Sequence, residues 1–586
     1  MVQKDKLKKF TVFIITVIML YFVLMMFVCS ITSTTDFFHA KKIVCLATLW
    51  TISSKLCKNS RGFWFSNAGF FALLSSVLVI NYFANDSIPR AKVITYLSFA
   101  GSVSCLITML PMLFPRKSFH KLSGLLILLP VVLIVMLFWG YYFTSNAWFS
   151  SDTMLAIMQT NFSESKEFIK DYFNAKVLFS CLILILVMFA EIKVLANNTL
   201  RNRSKIFLFT SILICIGSIL LLYKTRVNIV TDIGIKAKQN LKSYNDFRKK
   251  MAQRKNNISV KGTLKHNGDK GIYVLVIGES QNKNHMSAYG YQKDTTPWLK
   301  AMMNSKNTLV FNEVYSCHTH TVPVLTYALT AKNQYNSTNL SEAVSILEVA
   351  EAVGYETAWL SNQVKYGAWD TPITVIASEA NQQVWINKNL GETTETNAFD
   401  IKLVDALEHI KYTDKMLLII HLMGNHGSYA QRYPKSFSKF GDKKTIDHYD
   451  NSMLYNDYVV SRIYEKVKTI PYFQAMIYCA DHADAVDQNL AHDASRFVWS
   501  MTEVPMYMIF SESFVIRNKS LIDNLRMAED KMFTNDLLYN LLMGVLGIKN
   551  ITNYEPYNDI TNENYDANKE RFKTLYGKKK LSERKD

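Results

Sequence analysis

Four residues far apart in the chain have the types that build a metal site around a nucleophile: Glu279, Thr321, Asp481 and His482. Glu279 ends the apolar run Ile272-Tyr-Val-Leu-Val-Ile-Gly278, and Asp481-His482 end Ala475-Met-Ile-Tyr-Cys-Ala480. Thr321 falls in Cys317-His-Thr-His-Thr-Val-Pro323, shortly after the apolar run Thr308 to Val314. In open α/β sheets, ligands collect outside the carboxyl ends of the strands, so residues distant in sequence can converge there. Two carboxylates, an imidazole and a hydroxyl supply a four-coordinate N/O set suited to Zn2+. Held by a metal, the hydroxyl ionises at neutral pH and can attack phosphorus or sulfur.

The hydroxyl has competitors. Ser316, Thr319 and Thr321 share one short segment, and Ser280 sits beside Glu279. Thr321 precedes an apolar run able to start a helix, and a helix N-terminus favours a bound phosphate. Pro323 suits a first-turn position. Read locally, Thr321 is also a helix N-cap. His421-Leu-Met-Gly-Asn-His426-Gly follows the apolar run Met416 to Ile420, and His492 lies a short loop beyond Asp481. Taken singly, each reads as a hydrogen-bonded core or surface histidine. Grouped with His482, among 12 histidines in the chain, they suggest a site for a metal and an anionic group.

Strands and helices in alternation would position these groups. Strand-like runs at 272–278, 308–314, 356–361, 416–422, 475–480 and 504–510 alternate with helical patterns near 296–304, 322–331, 341–353, 400–411, 450–469 and 533–546. This predicts an α/β domain over 271–560 with a central, mostly parallel sheet covered by helices on both faces. Residues 224–270 are polar and Lys/Asn-rich and read as a bridging linker; residues 561–586 read as a basic, solvated tail.

The 49% hydrophobic content averages two different halves of the 586-residue chain. Residues 1–223 are a series of apolar runs that predict a transmembrane domain of five to seven helices. Strong spans lie near 10–31, 63–83, 93–114, 122–143, 176–196 and 206–223, with a weaker one at 42–56. Basic loops at 55–61, 115–121 and 200–205 are expected in the cytoplasm by the positive-inside rule. For all three to lie there, the weak segment must cross, giving seven spans and an exported C-terminal half. The loop 144–175 is too polar to span. Trp148, Phe149, Met154, Leu155 and Met158 fall on roughly one helical face there, as an interfacial helix requires; a plain connecting loop is the other reading. The first apolar run is too long, and followed by too many others, for a cleavable signal peptide.

A net charge of +18 suggests nucleic acid, but no basic stripe with interleaved aromatics stands out, so no nucleic-acid partner is expected. Loop bias and the tail explain much of the charge, and a basic exported domain is attracted to anionic lipid. The soluble half holds only Cys317 and Cys479, so it is not a disulfide scaffold.

Gly278-Glu-Ser with His285-Met-Ser-Ala-Tyr-Gly-Tyr291 and Thr295-Thr-Pro297, then His421-Leu-Met-Gly-Asn-His-Gly427, Tyr449-Asp-Asn-Ser452 with Tyr455-Asn-Asp457, and Asp481-His482 occur in order. These motifs resemble those of the phosphoethanolamine transferases of the alkaline phosphatase and sulfatase superfamily, membrane enzymes of bacteria. The resemblance covers essentially the whole chain. At the nucleophile, the lipid A-directed members resemble Cys-Gly-Thr-x-Thr-Ala-x-Ser-x-Pro-Cys and carry several disulfides, whereas here the segment has no second cysteine and the soluble half cannot form several bridges. Trp359-Leu-Ser-Asn-Gln363 and Lys365-Tyr-Gly-Ala-Trp-Asp-Thr-Pro372 are more similar to the branch acting on the lipopolysaccharide inner core.

The resemblance implies a sulfatase-like domain in the periplasm, attached to a multi-pass bacterial inner-membrane domain. It implies that Glu279, Thr321, Asp481 and His482 bind Zn2+, that Thr321 is the nucleophile, and that His426 and His492 contact the transferred phosphate or a second zinc. The donor implied is phosphatidylethanolamine and the acceptor lipopolysaccharide, inner core or lipid A, through a phospho-threonine-type intermediate. His421, and Gln159 and Asp152 on the 144–175 segment, are candidates for substrate contacts. Phosphoglycerol transfer or phosphodiester hydrolysis by the same superfamily is the alternative reaction. A threonine at the nucleophile position argues against a sulfatase, and the intact ligand set argues against a non-catalytic membrane protein.

Overall fold

The computed structural model describes residues 2–32, 40–85, 88–114, 117–159, 174–202, 204–255, 270–363, 372–387, 398–548, 551 and 553–584. It divides into two units, Met1–Met154 with Tyr172–Lys238, and Leu155–Asp171 with Gln239–Asp586.

The first unit is helical: α1 (Val2–Thr32), α2 (Lys41–Leu56), α3 (Ser60–Asn85), α4 (Arg90–Met109), α5 (Lys117–Ser145), α6 (Ser151–Gln159), which runs past its boundary, α7 (Ala175–Asn197) and α8 (Lys205–Lys224). Six of these are long and apolar enough to cross a membrane: α1, α3, α4, α5, α7 and α8. They are the six strong spans read from the sequence. Phe22, Met26, Leu186, Ile206 and Leu220 are exposed on them, while Met25, Phe70, Leu97 and Val135 are buried. Helices apolar on both their inner and outer sides suit lipid as solvent. The weaker candidate is α2, whose 16 residues reach about 24 Å at 1.5 Å each, less than the ~30 Å hydrocarbon core. Ile43, Leu46 and Trp50 of α2 are buried, and the Trp50 indole N–H donates to the Gly101 carbonyl at 3.1 Å.

The proposed interfacial face comes apart. Trp148 and Phe149 precede α6 rather than lying on it, and both pack against Phe138, at ring separations of 4.9 and 5.4 Å. Burial against α5 is the stronger claim on their apolar surface. Residues 160–173 of this segment lie outside the described residues, as do the side chains of Asp152 and Gln159.

The second unit is built on a seven-stranded sheet: β1 (Gly271–Gly278), β2 (Thr308–Phe311), β3 (Glu356–Ser361), β4 (Gln382–Trp385), β5 (Lys415–His421), β6 (Phe473–Ala480) and β7 (Met506–Phe510). The order is β2-β7-β6-β1-β5-β3-β4, with β6, β1, β5, β3 and β4 mutually parallel and β7 antiparallel to both its neighbours. Six of these strands are the expected ones. The seventh, Gln382-Gln-Val-Trp385, is a short edge strand with too little apolar character to stand out. In β1, Tyr273, Leu275 and Ile277 face one core, and Ile272, Val274 and Val276 face the other. A strand buried on both faces must be apolar throughout, which is why β1, β5 and β6 read as continuous hydrophobic runs.

Helix α9 (Thr231–Lys255), within the expected linker, sends Phe247 and Met251 into the core that includes Leu275, and residues 256–269 lie outside the described residues. The C-terminal segment is not a solvated tail: Phe572, Thr574, Leu575 and Leu581 are buried on the domain. Its apolar residues, spaced among lysines, outweigh its net charge.

Gly278 ends β1 where a Cβ would collide with the Tyr478 hydroxyl, which donates to Gln281 Oε1 at 2.6 Å. Gly278→Ala is expected to lower unfolding stability by about 1–3 kcal/mol through overpacking. An unchanged midpoint in thermal denaturation of the variant would contradict this.

Candidate active site

Register sets the site. In the parallel ladder Ile277 pairs with His421 and Gly278 with Ala480, so β1, β5 and β6 end at one level. Glu279 and Asp481 are the residues that follow β1 and β6. The Asp481 N–H donates to the Gly278 carbonyl at 3.0 Å, and the Ser280 N–H donates to Asp481 Oδ1 at 3.1 Å. Ser280 reaches this carboxylate with φ of 56°, a left-handed turn that costs a side-chain-bearing residue free energy. Its hydroxyl donates to Glu279 Oε1 at 2.8 Å.

The loop after β5 closes on the same point. The Asn425 N–H donates to the Glu279 carbonyl at 2.9 Å. Gly424, at φ 50°, passes so near that a Cβ would lie 2.8 Å from that carbonyl oxygen. Only glycine meets both conditions. Asp400 accepts the Met423 and Gly424 N–H groups at 2.9 and 2.8 Å, and Arg432 donates to the carbonyls of His426 and Gly427 at 2.9 and 2.7 Å.

Thr321 opens helix α10 (Thr321–Ala328), with His320 extended before it and Pro323 in its first turn. The Thr321 hydroxyl donates to Glu279 Oε2 at 3.1 Å and lies 3.2 Å from His482 Nε2. His482 Nε2 is in turn 3.3 Å from Glu279 Oε1 and 3.4 Å from Asp481 Oδ2. All four sequence-predicted groups therefore meet. The competing hydroxyls are otherwise engaged: Ser280 is fully buried, Thr319 contacts His320 Nδ1 at 3.0 Å, and Ser316 donates to the carbonyls of His318 and Asp481 at 2.6 Å. Thr321 is half-buried, so a substrate can reach it.

The donor set fits a divalent cation. Glu279, Asp481 and His482 offer ligand atoms within 4.8 Å of one another. Asp481 Oδ2 and His482 Nδ1 are buried without hydrogen-bond partners, and buried polar atoms are seldom left so. Burial pushes the Glu279 carboxyl up, and burial together with the Glu279 charge pushes Asp481 up to about 7. Two desolvated carboxylates side by side repel, and a cation between them removes the cost.

A second group adjoins the first. His482, Asp484 and His492 also place ligand atoms within 4.8 Å of one another. Asp484 accepts from the Tyr429 hydroxyl at 2.5 Å and from His492 Nδ1 at 2.7 Å. Burial works against charge on His492, but Asp484, with Glu279 and Asp481, raises it to about 9. The rings of His492 and His482 are 4.3 Å apart, and His320 is 5.4 Å from His492. His426 is half-buried, its Nδ1 is without a partner, and burial holds it well below the usual imidazole range. His421 is 3% exposed and edge-on to Trp359 at 6.0 Å, with burial holding it near 3. Its burial leaves little surface for a substrate, and its Nε2 is buried without a hydrogen-bond partner.

Sequence reasoning missed three positioning residues. Asp484 follows His482 by two residues, a signal that was available. Asn535 donates to the Asp481 carbonyl at 2.6 Å while accepting the Cys317 N–H at 3.0 Å, tying the strand end to the loop that carries Thr321. Gln363 Nε2 donates to the Leu422 carbonyl at 2.9 Å and lies 3.5 Å from Glu279 Oε2. Residues 364–371 of the motif that follows Gln363 lie outside the described residues. Several motif residues hold one another rather than the site: His285 Nδ1 is 2.9 Å from Asp450 Oδ1, and Tyr449 donates to the Ser280 carbonyl at 2.7 Å. Cys317 and Cys479 are buried free thiols.

Two outcomes follow from this electrostatics. A cation at this site would have to displace the proton that Asp481 holds below about pH 7, so affinity for a divalent cation such as Zn2+ is expected to fall as pH drops through 7, with proton release on binding. Calorimetry in buffers of different ionisation enthalpy checks this; affinity flat across that range would refute it. Without metal, the raised groups work the other way. The folded state binds an extra proton at His492, so stability falls as pH rises from the usual imidazole range toward about 9; at lower pH the buried neutral His421 and His426 oppose the proton held by Asp481. Thermal unfolding after chelation reads that slope.

A family model described as Sulfatase matches residues 272–545. The chain is 27% identical to phosphoethanolamine transferase EptC of Escherichia coli K12 over 392 residues, 60% of this chain and 67% of that one. It is 24% identical to the Kdo(2)-lipid A phosphoethanolamine 7''-transferase of Salmonella typhimurium over 303 residues, 48% of this chain and 52% of that one. It is similar in fold to the integral membrane protein lipooligosaccharide phosphoethanolamine transferase A (EptA) of Neisseria meningitidis, with a TM-score of 0.56 and 19% identity. That likeness covers 88% of this chain and 97% of that one, helical half included. Residues 272–545 of this chain are accordingly similar to a sulfatase-family domain, and the same polypeptide carries six helices long and apolar enough to cross a membrane among its described residues.

Proposed function

We propose that this protein is a zinc-dependent phosphoethanolamine transferase of a bacterial inner membrane, with Thr321 as nucleophile and its α/β domain in the periplasm. The observation that carries the reading is the Thr321 hydroxyl, half-buried and 3.1 and 3.2 Å from two members of a buried Glu279–Asp481–His482 donor set. Relatives named as phosphoethanolamine transferases support the reaction; the orientation is the seven-span reading, in which α2 crosses as well and the basic loops at 55–61, 115–121 and 200–205 lie in the cytoplasm.

In this reading Glu279, Asp481, His482 and Thr321 hold Zn2+. When bound, the metal lowers the pKa of the hydroxyl and offsets charge on phosphoryl oxygens. Thr321 Oγ1 attacks the phosphorus of phosphatidylethanolamine, the bond from phosphorus to the diacylglycerol oxygen breaks, and diacylglycerol leaves with a proton. His492, kept charged by Asp484, supplies that proton or faces a phosphoryl oxygen, and His426 faces another. An acceptor phosphate or hydroxyl of lipopolysaccharide then attacks the same phosphorus, and Thr321 is regenerated. Inner core is favoured over lipid A by the motif Trp359–Gln363.

Thr321→Ala and Glu279→Ala are each expected to abolish transfer while the protein stays membrane-inserted. Mass spectrometry of lipid A and core oligosaccharide, with and without the protein, locates the modification. Phosphoethanolamine persisting on lipopolysaccharide in the Thr321 variant would falsify the assignment. An adduct on Thr321 with the mass of glycerol phosphate would move the reaction to phosphoglycerol transfer.

A further inference from the structure

The segment read as a solvated tail turns back on the nucleophile loop. Residues Lys573–Thr574 pair antiparallel with Lys579–Lys580, and the turn between them holds three consecutive left-handed residues. Leu575, Tyr576 and Gly577 have φ of 52°, 56° and 85°. Two of the three carry side chains, so this backbone is costly and persists only where its surroundings over-determine it.

Those surroundings are the two flanks of Thr321. On the N-terminal flank, the Thr574 hydroxyl donates to the Ser316 carbonyl at 2.8 Å and the Tyr576 N–H donates to the Cys317 carbonyl at 3.3 Å. The Tyr576 ring lies 5.1 Å from that of His318. On the C-terminal flank, the Tyr576 hydroxyl donates to the Pro323 carbonyl at 2.7 Å, and its ring stacks on Tyr327 at 4.2 Å. The turn itself is anchored by the Gly577 N–H, which donates to Gln334 Oε1 at 3.0 Å.

We propose that the hairpin Lys573–Lys580 is a strap that positions the nucleophile, with Tyr576 as its pin. Thr321 begins an eight-residue helix with no side-chain cap, and so short a helix does not hold its own first turn. Asn535 restrains the loop from the strand side, at Cys317 and Asp481. Tyr576 restrains it from the opposite flank, and its side chain touches residues both before and after Thr321. Its role is positional, because its hydroxyl is spent on a backbone carbonyl.

The proposal rests on Thr321 being the group that reacts, and the test separates the two ideas. Full-length protein in lipid nanodiscs, loaded with Zn2+, is assayed with phosphatidylethanolamine and compared by amide hydrogen exchange. Tyr576→Ala should lower kcat by at least roughly tenfold, toward the ~10²-fold that ångström-scale misplacement costs, with KM unchanged. Amides at 317–324 should exchange faster while those of β1 do not. Tyr576→Phe keeps the stack and loses only the bond to Pro323; its kcat should fall by roughly two- to tenfold. This variant decides the matter if Tyr576→Ala does not fold. Wild-type kcat in both variants, or unchanged exchange at 317–324, overturns the strap. If the wild-type protein transfers nothing from phosphatidylethanolamine, the functional reading fails, and the exchange comparison still decides the strap.

Discussion

Two carboxylates, Glu279 and Asp481, are taken out of water and set side by side, and the architecture of the domain follows from what that costs. Among the described residues, neither is paired with a lysine or arginine. Their hydrogen-bonding neighbours are backbone N–H groups, a serine hydroxyl, a threonine hydroxyl, the Gln363 amide and one imidazole, with the His492 charge acting on both from farther off. Such neighbours orient carboxylates and cancel their charge only in part, leaving an electrostatic deficit that a divalent cation would fill. A site of this kind must be rigid in advance, because carboxylates free to move would separate and hydrate. Rigidity comes from the in-register ends of β1, β5 and β6, from Gly424 against the Glu279 backbone, and from Asn535 against the Asp481 carbonyl.

The two halves of the chain meet different solvents with different packing rules. In the helical unit, apolar side chains lie both inside the bundle and on its outer faces. In the α/β unit the apolar residues of β1, β5 and β6 face two cores, and large exposed hydrophobics are scattered. The proposed transfer from a lipid donor would need both kinds of surface in one polypeptide: one that dissolves in lipid and one that builds a polar site.

Many of the motif residues serve geometry rather than chemistry. His285, Tyr291 and Lys293 converge on Asp450, and Asp457 accepts the N–H groups of Trp298 and Leu299 at 2.8 and 3.2 Å. Tyr449, on the same helix as Asp450 and Asp457, carries this network to the Ser280 carbonyl. The order of motifs along the chain therefore reports a scaffold as much as a reactive centre. Ser316, weighed as a nucleophile, is instead a brace whose hydroxyl joins two carbonyls.

Much was legible in the sequence, for a physical reason in each case. Strands buried on both faces are continuous apolar runs, membrane-type helices are longer ones, and ligands at strand ends are polar residues stopping those runs. Hence six of seven strands, the six long helices and the meeting of Glu279, Thr321, Asp481 and His482 could be read from residue order. The edge strand Gln382–Trp385 lacks such a run, and Asn535 and Gln363 carry no local mark because their partners lie far away in sequence. Tertiary structure alone decided which hydroxyl is only half-buried, that His421 is enclosed, and that a lysine-rich C-terminus folds onto the loop that carries Thr321. Residue types and spacing determine which groups are available; burial and hydrogen bonds between distant segments determine what each one can touch.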